Sequence, residues 1–342
     1  MQRVLLVTLE YPPMVGGVAN YYQQLVWHVT NDNITVLDNK SGSLTPWWKS
    51  FWVIYKNIKV KQINYVLVGQ ILPLGTVLII LNLLFNTPFA VFIHGMDITV
   101  PQKYWRKRVL LKLILNKAKH IITVSNYTKQ EIVKLVSNVN QEKIVIISPA
   151  PTVTPESISN NRAILPVDLP GCYILSVGRL VERKGFDLVI QALAKLSIKH
   201  NNVHYVIAGS GIETYQVNER VHVYSGLSNE QIALLYQQCA FLVMPARRLA
   251  NGDFEGFGTV VLEAALFGKP CIGGEGGMSA AIIHNKTGVI LQPVTVNTLA
   301  NQLQNWLDNP VLVQQLGVQA QQRAKLITWE DNVNKLESVW QK

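Results

Sequence analysis

Two doubly wound α/β domains, each a parallel sheet with helices on both faces, are the fold class this sequence predicts, and three observations predict it. The first is length: 342 residues exceed what one hydrophobic core usually fills and favour two domains of roughly 150 to 170 residues each. The second is the alternation of short apolar runs with helical patterns in both halves, because strands covered on both faces read as continuous apolar runs. The third is a stretch rich in Pro, Ser and Asn with no helical period, from Ser148 to Pro155 and on through Pro166 and Pro170, which reads as a linker.

Taken in order, the strands of the first half are expected at Val4–Thr8, Ile34–Leu37, Tyr65–Val68, Phe89–Ile93, Ile121–Val124 and Ile144–Ile147. Those of the second half are expected at Tyr173–Val177, His204–Ala208, Val221–Tyr224, Phe241–Met244 and Pro270–Gly273. Domains over 1–155 and 156–325 follow, with a helix from Trp329-Glu330 in the closing segment 326–342. The longest apolar stretch, Ile71 to Phe85, is interrupted by Pro73, Gly75 and Asn82 and is shorter than the roughly 20 residues of a spanning helix, so it is predicted as a buried helix. Two such domains across a cleft place ligands at the carboxyl ends of the strands.

Composition narrows the class. With 49% hydrophobic and 15% charged residues and a mean hydropathy of +0.18, the chain can bury a large core, which excludes disorder. Cys172, Cys239 and Cys271 are far apart, with no CxxC or Cys/His spacing, so neither a disulfide framework nor a structural zinc site is expected. The opening MQRVLLVTLEYPP reads as a strand and turn rather than a signal peptide, and a cytoplasmic protein is expected.

Charge is divided unevenly. Residues 1–150 hold 16 Lys+Arg against 6 Asp+Glu, and residues 151–342 hold 15 of each, so the net charge of +10 belongs to the first half. A basic domain joined to a neutral one is expected to meet something anionic. From Pro46 to Lys56, Trp47, Trp48 and Trp52 are interleaved with lysines, continued by Lys59 and Lys61. Such a segment is either interfacial, with rings at headgroup depth, or a core helix with a wet lysine face. Lys103, Arg106, Lys107 and Arg108, with Tyr104 and Trp105, precede an apolar helical run from Val109; several such cations hold a protein on an anionic leaflet. The sequence shows no signature of a nucleic-acid-binding module, so nucleic acid is not an expected partner.

No GxxxxGK[ST], no GxGxxG after the first strand and no Asp-x-Asp is present, so phosphate has to be held by side-chain cations and backbone amides rather than by a metal. Arg179 and Lys184 in Gly178–Asp187 follow a predicted strand, and such a pair can neutralise a diphosphate leaving group. In Asp253–Glu263 the glycines admit a ligand to the backbone and a helix beginning near Gly258 turns its free amides outward. Glu255 then lies on the loop and Glu263 within the helix, either as an acceptor for sugar and ribose hydroxyls or as a solvated helix residue.

Together these residues resemble the family-4 retaining glycosyltransferases of the GT-B fold, nearly end to end. YPPMVGGV resembles that family's first-strand glycine loop, FIHGMD and ITVSNYT its acceptor-domain motifs, and VGRLVERKG, VIAGSG and EGFGTVVLEA its donor-binding set. The resemblance implies that Arg179 and Lys184 grip the donor diphosphate, that Glu263 binds ribose, and that Glu255 with the amides of Gly256, Phe257 and Gly258 holds the donor sugar. It implies that Gly16 and Gly17 approach the phosphate, that His94 faces the transferring sugar, and that Gly178, Gly209 and Thr259 complete the donor set. The closing helix is expected to cross back to the first domain. The likeness is strongest to bacterial mannosyltransferases that act on lipid-linked acceptors. Two departures stand out: ISPAPTV replaces the usual Pro-Asn-Gly or Pro-Pro-Gly hinge, and Ala280 stands where a Glu commonly follows the Gly276-Gly277-Met278 turn.

The expected function is therefore retaining, metal-independent and cofactor-free transfer of a hexose from a UDP- or GDP-sugar to a lipid-linked or growing glycan acceptor. The setting is polysaccharide, lipopolysaccharide or glycolipid assembly at the inner face of the plasma membrane. Two other readings stay open, a GT-B enzyme that uses a sugar phosphate and a non-catalytic membrane or polysaccharide adaptor.

Overall fold

The computed structural model describes residues 2–14, 16–29, 33–137, 139–158, 169–215 and 218–341. The chain divides into two compact units, one made of Met1–Pro149, Asn251–Gly256 and Thr328–Lys342, the other of Ala150–Ala250 and Phe257–Ile327. Each contains a six-stranded sheet in which every described pairing between strands is parallel.

In the first unit the strands are β1 (Val4–Val7), β2 (Ile34–Leu37), β3 (Tyr65–Val68), β4 (Phe89–Ile93), β5 (His120–Thr123) and β6 (Ile144–Ile146), in the order β2-β1-β3-β4-β5-β6. β1, β3 and β4 are buried at every position, while edge strand β2 is half-buried throughout, as the covering of both faces by helices requires. Those helices are α1 (Gly17–His28), α2 (Trp47–Val60), α3 (Leu74–Phe85), α4 (Met96–Thr99), α5 (Trp105–Lys117) and α6 (Asn126–Leu135). One core joins Val66, Val91 and Ile121 of the sheet to Ile54, Leu78 and Ile114 of the helices. Gly75 lets α3 close on α5, since a Cβ there would lie 2.9 Å from Ile114 Cγ2. The strand order turns at β1 and β3, and it is outside the carboxyl ends of such neighbours that ligands bind.

In the second unit the strands are β7 (Tyr173–Val177), β8 (His204–Ala208), β9 (Val221–Tyr224), β10 (Leu242–Met244), β11 (Cys271–Gly273) and β12 (Gly288–Ile290), in the order β12-β11-β10-β7-β8-β9. This is the dinucleotide-fold order, with its turning point between β7 and β10. Its helices are α7 (Phe186–Leu193), α8 (Asn229–Gln238), α9 (Thr259–Leu266), α10 (Met278–Ala281), α11 (Val296–Asp308) and α12 (Pro310–Ala324). The terminal helix α13 (Trp329–Gln341) belongs to the first unit. Its Trp329 stacks on His28 at 6.2 Å and meets Tyr21 at 5.9 Å, and Asn332 Nδ2 donates to Ser148 O at 2.6 Å.

The structure corrects several expectations. β12 was not foreseen, because a three-residue Gly-Val-Ile run after Asn285, Lys286 and Thr287 carries too little apolar pattern to register. The basic cluster does not precede its helix: Tyr104 is the N-cap of α5, and Arg106, Lys107 and Arg108 fill its first turn, good helix formers despite the adverse end of the dipole. The stretch expected to be a buried helix starts only after Pro73, and its far end, Leu83, Leu84 and Phe85, is exposed. The first part of the linker is packed rather than solvated: Ala150 and Val153 are buried in the second unit, and Thr154 and Ser157 form a reciprocal cap. The rest of the linker, 159–168, lies outside the described residues. Finally, Asn251–Gly256, expected within 156–325, is part of the first unit.

Candidate active site

In the second unit the site grows from the ends of β7 and β8. The Gly178 amide donates to Ala208 O at 3.0 Å, and a Cβ on Gly209 would run into the Gly178 carbonyl oxygen, so the two loops lie backbone to backbone. Arg179 then stands exposed. The chain next forms a single turn, Glu182–Lys184, closed by Gly185 at φ +70°, where any side chain would strike the Pro245 carbonyl oxygen. That turn sends Lys184 back over the strand end: it is buried, and its Nζ lies 3.5 Å from where a Gly178 Cβ would stand. Arg183 is buried beside it, and Arg247, beyond β10, fixes the turn from outside through Asp187 at 3.0 Å and Glu182 at 3.7 Å. Sequence reasoning missed Arg183 and Arg247; the ERKGFD run containing Arg183 was in view, but Arg247 carries no local signal.

α9 supplies backbone donors and a carboxylate. Gly258 caps it at φ +89° with no side-chain bond, a conformation only glycine adopts freely, so the first-turn amides from Thr259 onward have no side-chain cap. Glu263 is not a solvated helix residue. It is buried, with Oε2 accepting from Tyr236 Oη at 3.0 Å and Oε1 from the Thr152 and Val153 amides at 3.3 and 3.4 Å. Burial pushes its carboxyl up, against the pull of those three donors. A carboxylate offers about four lone-pair positions, so room for one further hydroxyl remains. Phe257 is buried in this unit.

In the first unit Gly16 and Gly17 open α1 with nothing within 4 Å of either Cβ position, so internal packing does not demand them. His94 follows β4. Asp97 accepts from the Gly95 amide at 2.7 Å and from the His94 amide at 3.1 Å, which fixes the turn. A Cβ on Gly256 would strike the His94 carbonyl oxygen, and Phe254 packs on Tyr127 at 4.9 Å. Thr99 Oγ1 donates to Gly252 O at 2.7 Å. The structure therefore brings His94 together with the strip that carries buried Glu255 and Gly256. Asp97 was not singled out, although the quoted His-Gly-Met-Asp run contains it.

His94 and Asp97 act on stability in opposite directions. Burial holds the His94 imidazole down to about 4, so the unfolded chain binds more protons between there and 6.5, and stability gained through this ring rises with pH across that window. Burial pushes the Asp97 carboxyl up to about 6 against the pull of its amide donors, so its contribution falls as pH rises from 3.8 to about 6. The two offset each other in the wild type. In Asp97→Asn the melting temperature should climb more steeply between pH 4 and 6.5 than in the wild type; equal slopes would show that Asp97 does not titrate there.

Trp47, Trp48 and Trp52 are exposed on α2, whose Ile54 and Ile58 face the core. α5 is apolar on two sides: Leu111, Ile114 and Leu115 are buried, whereas Trp105, Val109 and Leu113, spaced four apart, are exposed. Lys107 lies over the Tyr104 ring at 4.9 Å, and Arg106 over Trp105 at 5.3 Å. Beside this stripe a hollow of about 430 Å³ is lined by Gln102, Arg108, Val109, Lys112, Lys134 and Leu135. Among the described residues no helix is long and apolar enough to cross a membrane.

The family described as glycosyl transferases group 1 matches residues 157–323, and glycosyltransferase family 4 matches residues 4–150. The chain is 23% identical to a GDP-mannose-dependent monoacylated alpha-(1-6)-phosphatidylinositol monomannoside mannosyltransferase of Corynebacterium glutamicum, over 91% of this chain and 90% of that one. Its fold is similar to that of sucrose-phosphate synthase from Thermosynechococcus elongatus, with a TM-score of 0.80 at 19% identity, covering 100% and 98% of the two chains. It is also similar to Anabaena HepE in complex with UDP and glucose, with a TM-score of 0.76 at 18% identity, covering 99% and 98%.

Proposed function

Because the chain belongs to the group 1 and family 4 glycosyltransferases of the GT-B fold, we propose that it transfers a hexose from a nucleotide diphosphate sugar, with retention and without a metal, to a lipid-linked or glycan acceptor at a membrane face. The observation that carries this reading is the turn after β7, which folds buried Lys184 back over the strand end beside exposed Arg179.

These cations and the uncapped amides of α9 are arranged for the charge that grows on a departing diphosphate. Fixed donors and cations in a site that excludes water are worth more than the same groups in solution. They stand in for the divalent ion that an Asp-x-Asp sequence would otherwise recruit. No side chain is assigned as a nucleophile: the acceptor hydroxyl attacks from the leaving-group face, and its proton passes to the departing phosphate. Glu263 receives a ribose hydroxyl.

The membrane half of the reading rests on α2 and α5. Their exposed tryptophans, the apolar stripe Trp105, Val109 and Leu113, and the cations Arg108 and Lys112 combine ring insertion with attraction to anionic headgroups, at about 1 kcal/mol per cation near the surface.

The test is thermal shift against UDP, GDP, ADP and their hexose conjugates in EDTA, followed by NMR of the product anomer. One base should stabilise the protein without metal, and the product should keep the donor's anomeric configuration. No shift with any nucleotide, or an inverted anomer, would overturn the reading. Co-sedimentation with anionic vesicles at low salt should be strong and should fall on replacing Trp47, Trp48 and Trp52 by Ser; indifference to vesicles would remove the membrane acceptor.

A further inference from the structure

Tyr22, on α1, has no part in the steps derived above, yet it is fully buried where the first sheet's strand order turns. Its hydroxyl touches two groups. It donates to the carbonyl oxygen of Gly69, just past β3, and it lies 2.7 Å from His94 Nε2.

A phenol has one proton. A hydroxyl oxygen and a carbonyl oxygen in hydrogen-bond contact need a proton between them, and the carbonyl brings none, so the phenol's proton is committed to Gly69. The contact with His94 therefore needs a proton on Nε2, with the phenol oxygen accepting. A neutral imidazole has only one N–H, which leaves Nδ1 with its lone pair. Among the described residues Nδ1 has no hydrogen-bond partner, and it is not one of the fully sealed polar atoms left without one.

The surrounding rings hold this arrangement. Tyr21 and Tyr22 meet the imidazole edge-on at 5.5 and 5.4 Å, and Phe92 lies parallel to it at 6.4 Å. Packing of this kind fixes the ring plane, and a half-turn of the ring would set a carbon against the phenol oxygen. Burial, with the carboxyl groups of Asp97 and Glu10 nearby, keeps the Tyr22 phenol protonated.

We infer that Tyr22 is a positioning residue that locks His94 in the Nε2–H tautomer and so presents Nδ1 as a hydrogen-bond acceptor to a hydroxyl of the bound sugar or acceptor. This rests on the glycosyl transfer proposed above. Acceptance at Nδ1 suits a hydroxyl donor, and the opposite tautomer would confront that hydroxyl with a second N–H.

The experiment is two-bond ¹H–¹⁵N correlation spectroscopy of the ligand-free protein labelled at histidine nitrogen, with the His94 signals assigned by their loss in His94→Asn. The expected wild-type pattern is a single neutral Nε2–H tautomer, and Tyr22→Phe should give a mixture. Tyr22→Phe should also lower kcat about tenfold, the cost of one misoriented hydrogen bond, with the donor KM little changed. An Nδ1–H pattern in the wild type overturns the inference even if the variant fails to fold. So does a Tyr22→Phe protein with wild-type spectrum and kinetics. Failure of the proposed glycosyl transfer looks different: no nucleotide binds, while the wild-type tautomer is as inferred.

Discussion

Lys184→Ala is expected to lower kcat by about two to three orders of magnitude while leaving the protein folded. Removing one preorganised group that faces developing negative charge typically costs that much, and Lys184 is the buried cation over the end of β7. Arg179→Ala should cost less, because the exposed guanidinium shares its work with water until a ligand arrives. Steady-state rates with the nucleotide sugar selected by thermal shift would check both, beside a melting curve showing that each variant remains folded. Undiminished kcat in Lys184→Ala would take this lysine out of the leaving-group site.

Glu263→Ala should damage both stability and donor binding. It leaves the Tyr236 hydroxyl and the Thr152 and Val153 amides without their acceptor, which costs about 2–4 kcal/mol if solvent does not enter. Glu263→Gln separates the two roles. It keeps the shape and removes a carboxyl that burial already disfavours as an anion. Since a raised pKa means that the folded state binds the extra proton, the stability tied to this group is lost as pH rises through the carboxylate range; the Gln variant escapes that loss. The Gln variant should therefore melt near or above the wild type at neutral pH while binding the nucleoside diphosphate more weakly. Unchanged affinity in Glu263→Gln would leave the residue a purely structural clamp.

Much of the fold was legible because parallel strands buried on both sides are written as uninterrupted apolar runs. Tyr65–Val68, Phe89–Ile93 and Tyr173–Val177 show it, and their bounds agree with the structure. β12 escaped because Gly288–Ile290 offers only Val289 and Ile290 as apolar residues, directly after the polar Asn285, Lys286 and Thr287. The place of Gly256 against the His94 carbonyl was not legible, since it joins positions more than 150 apart through backbone alone. The EGFG run and the turn after β7 could be seen as ligand-facing from their glycines and cations. What holds Glu263 could not, because the amides of Thr152 and Val153 come from a stretch whose prolines and serines made it look like a free linker. Tyr22 is the extreme case: a tyrosine in an amphipathic helix reads as core, and only the atoms around its hydroxyl show otherwise.

The first unit is written in three separate pieces, so the chain passes between the units four times, at 149/150, 250/251, 256/257 and 327/328. On the ribosome this becomes a matter of timing. β1 to β6 are made before the second sheet, but the strip that packs against the His94 carbonyl appears about a hundred residues later, and α13, which covers Tyr21 and His28 and reaches the Ser148 carbonyl, is made only after that second sheet. The second unit can complete its sheet while the first still lacks its cover, so the half of the molecule begun first is the half finished last. Until then the surface around Tyr21, His28 and the His94 carbonyl stays incompletely closed on the nascent chain, and it is during synthesis that this protein is most exposed to misassembly.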